Sequence, residues 1–171
     1  MAYDHRTFME VAIHESGHVI IGEMLGAKYS SIVLETGQPG RVYGSLDAMP
    51  LGDQAIVAAV GPAAQARFVR RDPFPMISRV DLALIESAAA AAGVTADQFA
   101  SFVRDTVDAA NRIVWRPGIW RRIVAGAEAI GEAGGRICFT ETAPRQPTVS
   151  PRAARMQKAM EMVWGDGKIY P

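Results

Sequence analysis

Two histidines four residues apart, inside an apolar run, set the terms for the rest of this chain. Val11 to Gly22 reads VAIHESGHVIIG, so that His14, Glu15 and His18 spell HExxH. In an α-helix, residues i and i+4 project side by side from one face, and both imidazoles can then reach one cation at about 2.0–2.1 Å. An unpartnered imidazole or carboxylate is costly to bury among apolar neighbours, and a metal ion would relieve all three groups at once. The stretch therefore reads as half of a zinc hydrolase site. The plainer alternative, with both histidines as ordinary helix residues and Glu15 facing solvent, leaves three polar groups in apolar surroundings without a reason.

A catalytic zinc takes three protein ligands and keeps a fourth position open. The chain has one further histidine, His5, which lies nine residues before His14 on the same expected helix. That separation is about 13 Å along the axis, too far to share an ion. The longer pattern HExxHxxGxxH is absent, because Ile21 stands where it needs glycine and Met24 where it needs histidine. Cys138, the single cysteine, is a weak candidate, and no cysteine precedes His14 as the deformylase arrangement would require. An aspartate or glutamate on a later helix is left.

At 171 residues, 49% hydrophobic and 21% charged, the chain is expected to form a single domain over 1–171 with its own core. Eighteen basic residues balance eighteen acidic ones, which provides no footprint for nucleic acid or an anionic membrane surface. One cysteine, no leader-like N-terminus and no apolar run of spanning length point to a soluble, cytoplasmic protein.

The first helix is expected from about His5 to Leu25, capped by Asp4 or Thr7, with Thr7 and Glu10 making a capping box and Gly26 as the stop. Ser30 to Glu35 and Arg41 to Leu46, joined by turn formers, read as a β-hairpin, the only substantial sheet expected. Asp53 to Val69 reads as a buried helix kinked or divided at Gly61-Pro62. Helices follow over Arg79–Ala92, from Thr95 to about Trp115, and from Pro117 to Gly134-Gly135. Arg136 to Pro151 reads as irregular, Ser150 to Trp164 as a short helix, and the tail from about residue 165 as mobile. The fold class is mainly α with a small β-hairpin.

VAIHESGHVIIGEMLG, a hairpin, VAAVGPAAQARF and SRVDLALIESAAAAAG follow one another in the order found in the peptidase domain of the FtsH family of ATP-dependent zinc proteases, which this chain resembles. The similarity runs, more weakly, to about Glu141. It implies an FtsH-peptidase-like helical zincin in which His14 and His18 are zinc ligands, Glu15 is the catalytic carboxylate and Asp81 is the third ligand. Departures are Ser16 for alanine, Val80 for the asparagine before the aspartate, and Gly61-Pro62 for a Gly-Gly or Gly-Arg step. Asp81 also fits a helix cap, since Ser78-Arg79-Val80-Asp81 has capping-box form. Glu86 is the runner-up carboxylate, while Asp97 and Glu128 read as solvated.

The implied activity is a zinc metallo-endopeptidase for unfolded or flexible polypeptides, with Glu15 taking a proton from water. Substrate would add as a strand beside Val42, Tyr43, Gly44 and Ser45, where Gly44 allows close backbone approach. The chain shows no phosphate-binding GxxxxGK[ST] loop, so unfolding power is expected either from an ATPase or adaptor in trans or not at all, and a homo-oligomer is compatible with the family. Two alternatives are a catalytically degenerate, metal-binding interaction module and a zinc amidohydrolase of small substrates.

Overall fold

The computed structural model describes residues 5–35 and 39–139. The apolar pattern around HExxH closes into α1 (His5–Met24), unbroken through the motif. The helix stops at Gly26, whose φ of +98° is a left-handed conformation that favours glycine. The chain then forms β1 (Lys28–Val33) and β2 (Arg41–Ser45), an antiparallel pair. Next come α2 (Leu51–Val69), a single 3-10 turn at Phe74–Met76, α3 (Arg79–Ala91), α4 (Ala96–Val114) and α5 (Pro117–Glu132). Three helix starts are where sequence chemistry puts them, whereas α1 begins at His5, so the expected Thr7–Glu10 capping box lies inside the helix. Ser78 and Asp81 cap α3, Thr95 and Gln98 cap α4, and Pro117 opens α5.

Two expectations need correction. Arg136 to Cys138 is not irregular but a third strand, β3, antiparallel to β1, which makes the hairpin part of a sheet of order β2-β1-β3. The strand has three residues, too few for alternation to register in sequence. It exists because Gly134 and Gly135, at φ +68° and +87°, turn the chain out of α5 back toward β1, where Gly135 accepts from the Leu34 amide at 2.6 Å. The second correction concerns α2, which is not divided at Gly61-Pro62 but runs through it as one helix. An interior proline costs about 3 kcal/mol, and burial against α1, α3 and α4 offsets it. The expected helix over Ser150–Trp164 and the tail from about 165 lie outside the described residues.

α2 is the central element. Ala55, Val57 to Ala64 and Ala66 are all buried, so the helix is apolar around most of its circumference. Small side chains let its neighbours approach closely. Gly17 of α1 sits against it so tightly that a Cβ there would lie 3.1 Å from both Ala64 Cβ and Val60 O. On its other side α1 packs on α5, where the buried Ser16 hydroxyl donates to Ile123 O at 2.8 Å. The serine that replaces the resembled family's alanine is thus a polar tie between two helices. At the far end of α2, the Arg67 guanidinium lies 4.5 Å over Trp115 and 4.3 Å over Trp120, joining α2 to the α4–α5 corner.

The sheet attaches through a small cluster of Ala27, Met49 and Val57 with Leu25, Tyr29 and Leu46 packed on it. Ile32, 2% exposed, faces inward between Val42 and Ile137. Among the described residues, no helix is long and apolar enough to cross a membrane.

The glycine inside HESGH therefore serves helix packing. Gly17→Val should cost about 1–3 kcal/mol in urea unfolding by forcing α1 off α2. Wild-type stability in that variant would refute the close approach.

Candidate metal centre

The two imidazoles face α2, and their outer nitrogens are already committed. His18 Nδ1 donates to the Val57 carbonyl at 2.7 Å, and His14 Nδ1 donates to Gln65 Oε1 at 3.1 Å. A carbonyl can only accept, so each Nδ1 carries the proton and each Nε2 presents a lone pair. Those lone pairs converge, with His14 Nε2 and His18 Nε2 3.0 Å apart. Asp81 of α3 completes the group. Its Oδ1 lies 3.2 Å from His18 Nε2 and its Oδ2 lies 3.4 Å from His14 Nε2. The imidazoles are 12% and 11% exposed and the carboxylate 6%, so little water reaches them.

Two lone pairs and a carboxylate in contact repel one another unless a positive charge lies among them. Without a metal, a proton on His18 fills that need. Burial pulls this imidazole down, but the hydrogen bond and charge of Asp81, with Glu15 and the Val57 carbonyl, outweigh it and raise its pKa from 6.5 to about 8. The same balance acts on Asp81: burial pushes its carboxyl up, yet His14 and His18 hold it well below the usual carboxylate range. A divalent cation meets the same need with more charge. Among the described residues, His14, His18 and Asp81 are the group whose ligand atoms all lie within 4.8 Å of one another, and they could hold a metal ion.

Ligand and helix cap are not alternatives for Asp81. Asp81 N donates to Ser78 Oγ at 3.1 Å, and Ser78 N donates to Asp81 Oδ2 at 3.2 Å. The cap fixes the carboxylate through Oδ2, and Oδ1 is left facing His18. Val80, 70% exposed, points away from this arrangement and does not disturb it. Glu86, Asp97, Glu128 and Cys138 are exposed and outside the group, so neither the runner-up carboxylate nor the cysteine belongs to it.

Glu15 is buried beside His18 at 7% exposure, under Gly40, where a Cβ would fall 2.7 Å from its carboxyl carbon. Gly40 leads directly into β2, so the strand carrying Val42, Tyr43, Gly44 and Ser45 starts from the residue that rests on Glu15 and runs away from it. Within the sheet β2 is an edge strand, paired only with β1 among the described residues. The space left by the missing side chain of Gly44 is already used inside the hairpin, by Lys28 O and the Tyr29 ring.

Three residues of α2 belong to the site although the motif does not name them. Val57, Gly61 and Gln65 recur every four residues and form one stripe against His18 and His14. Val57 O and Gln65 hold the rings, and a Cβ at Gly61 would lie 2.6 Å from His18 Cε1. The i, i+4, i+8 spacing matches the four-residue step of the histidines and is the sequence signal that could have revealed them. On the opposite flank of α1, the Tyr29 hydroxyl donates to the His18 carbonyl at 3.0 Å.

Removing the amide from position 65 should loosen the His14 ring. Gln65→Leu is expected to weaken metal binding by about 10–100-fold with the fold intact, read by competition with a chromogenic chelator. Unchanged affinity would show that the ring needs no partner.

The pH dependence has two faces. A folded-state value of about 8 against an ordinary 6.5 means that protonating His18 contributes stability to the metal-free protein in full below 6.5 and loses it as pH rises through about 8, while Asp81, held below its ordinary 3.8, loses its own contribution as pH falls beneath that value. Metal must displace the His18 proton, so affinity should fall by up to about tenfold per unit below that value. Urea unfolding of the metal-free protein should show stability falling between about pH 6.5 and pH 8, and Asp81→Asn should flatten that dependence. A wild type whose stability does not change across that range would contradict the assignment.

No protein-family model matches this chain, and no curated protein matches it.

Proposed function

We propose that this protein is a zinc metallo-endopeptidase with an FtsH-peptidase-like helical zincin fold, cleaving unfolded or flexible polypeptides. The observation that carries this reading is the convergence of His14 Nε2, His18 Nε2 and Asp81 Oδ1 beside the buried carboxylate of Glu15. Three ligands on a small tetrahedral ion, with bonds of 2.0–2.1 Å, lie about 3.3–3.4 Å apart. The 3.0 Å between the two Nε2 atoms and the 3.2 Å from His18 Nε2 to Asp81 Oδ1 lie within a few tenths of an ångström of that edge length, and the other carboxylate oxygen, Oδ2, lies 3.4 Å from His14 Nε2. Nitrogen-rich, mixed donors favour zinc over magnesium or calcium.

Zinc in such a site acidifies water and polarises a scissile carbonyl. Glu15, on the residue adjoining a ligand, is placed to take the water's proton and return it to the leaving amine. Its burial under Gly40 strengthens that role by lowering the dielectric around it. A purely structural zinc would be closed by four protein ligands. Among the described residues the group offers three, which favours chemistry over the stabilising role of a degenerate module.

The edge strand β2 supports a polypeptide over a small amide as substrate. An extended segment can add to β2 by main-chain hydrogen bonds and run past Glu15. Unfolded chains and flexible segments offer such a stretch, so an ATPase or adaptor in trans would widen the range of targets.

Zinc-loaded protein should cleave casein or an unfolded peptide. Glu15→Gln should retain about one zinc per chain and lose roughly 10²–10⁴-fold in turnover. Failure of the metal-replete wild type to cut any member of a broad peptide library, with zinc present, would overturn proteolysis.

A further inference from the structure

The outward face of the sheet carries charge that the chemistry at the metal does not use. Register places Arg41 of β2 and Arg136 of β3 on either side of Val33 of β1. Tyr43 and Cys138 flank Ser31 in the next row. Residues directly opposite in adjacent strands share a face, so both arginines stand on one surface, around an open depression of about 360 Å³. Ile32, Val42 and Ile137 point the other way, toward the core. Arg41 is exposed, with the Tyr43 phenol and the Glu35 carboxylate beside it. Two guanidinium groups against one carboxylate leave this face positive.

Arg41 is also the residue of β2 closest in sequence to the metal centre, since Gly40 before it rests on Glu15. An extended polypeptide added to β2 would present alternate side chains to the two faces of the sheet. Whichever direction it ran, the side chain abreast of Arg41 would lie on the outward face, against the guanidinium. Opposite charges there attract, and a lysine or arginine would be repelled by Arg41, with Arg136 two strands away adding to the same potential.

We infer that Arg41 is a specificity-determining residue that selects polypeptide segments carrying an aspartate or glutamate at the position abreast of it on β2. This rests on the proposed addition of substrate to β2, but not on turnover. The positive face on the outer side of the substrate strand makes the preferred substrate class acidic.

Two measurements on the zinc-loaded protein test it. Mass spectrometry of a peptide library cut by wild type should show Asp and Glu enriched at one position relative to the scissile bond, by about two- to fivefold. Arg41→Lys should keep that enrichment and Arg41→Glu should turn it into a preference for Lys or Arg. In parallel, the Glu15→Gln protein should bind a fluorescein-labelled glutamate-bearing peptide more tightly than its lysine-bearing twin, with the difference shrinking in high salt and inverting in a Glu15→Gln/Arg41→Glu double variant. Cleavage without charge preference, or the same preference in Arg41→Glu, overturns the role of Arg41 and leaves proteolysis standing. Charge-selective binding without cleavage by wild type does the reverse. Equal binding of the two peptides overturns the role of Arg41 whatever the cleavage result.

Discussion

Three electron-rich groups held in contact need a positive charge among them, and the packing around them makes that need hard to escape. His14 and His18 cannot turn their Nε2 atoms away, because Val57 O and Gln65 hold the other side of each ring. Asp81 cannot swing out, because its second oxygen and its own amide are tied into the cap of α3. The charge requirement is therefore built into three helices at once: α1 supplies the nitrogens, α3 the oxygen, and α2 the surface that orients them. A site of this kind is preorganised, since the cost of bringing its ligands together is met when the chain folds.

α2 explains why the helices meet at that point. Its Val57–Gly61–Gln65 stripe repeats with the same four-residue step as the two histidines, and pairs with them in antiparallel sense: Gln65 with His14, Val57 and Gly61 with His18. Small residues on both sides, Gly17 on α1 and Gly61 on α2, bring the backbones close enough for imidazoles to reach a main-chain carbonyl. Along the chain, the Gly61-Pro62 step is a local point of weakness for a helix. In the folded protein its glycine is the room the His18 ring occupies, and the proline is carried within a helix buried by three others.

The sheet adds direction to this centre. β3 makes β1 the central strand and leaves β2 at the edge, next to Gly40 and Glu15. The buried face of the sheet anchors it through Ile32, while the outward face, with Arg41 and Arg136, stays in water.

Local chemistry was enough to locate most of the elements. Capping boxes at Ser78 and Thr95, Pro117 at a helix start and glycines at helix ends act within a few residues, so their effects are visible without knowing the fold. The His14–His18 pair was legible for the same reason, as a helix alone sets their spacing. What tertiary structure decided were the contacts made between distant segments. Three residues of β3 are a strand only because β1 is there to pair with them. Pro62 is tolerated only because burial outweighs its cost. Asp81 is both cap and ligand-side oxygen because one carboxylate has two oxygens and the α1–α2–α3 packing points them at different partners, a fact that no spacing along the chain can encode.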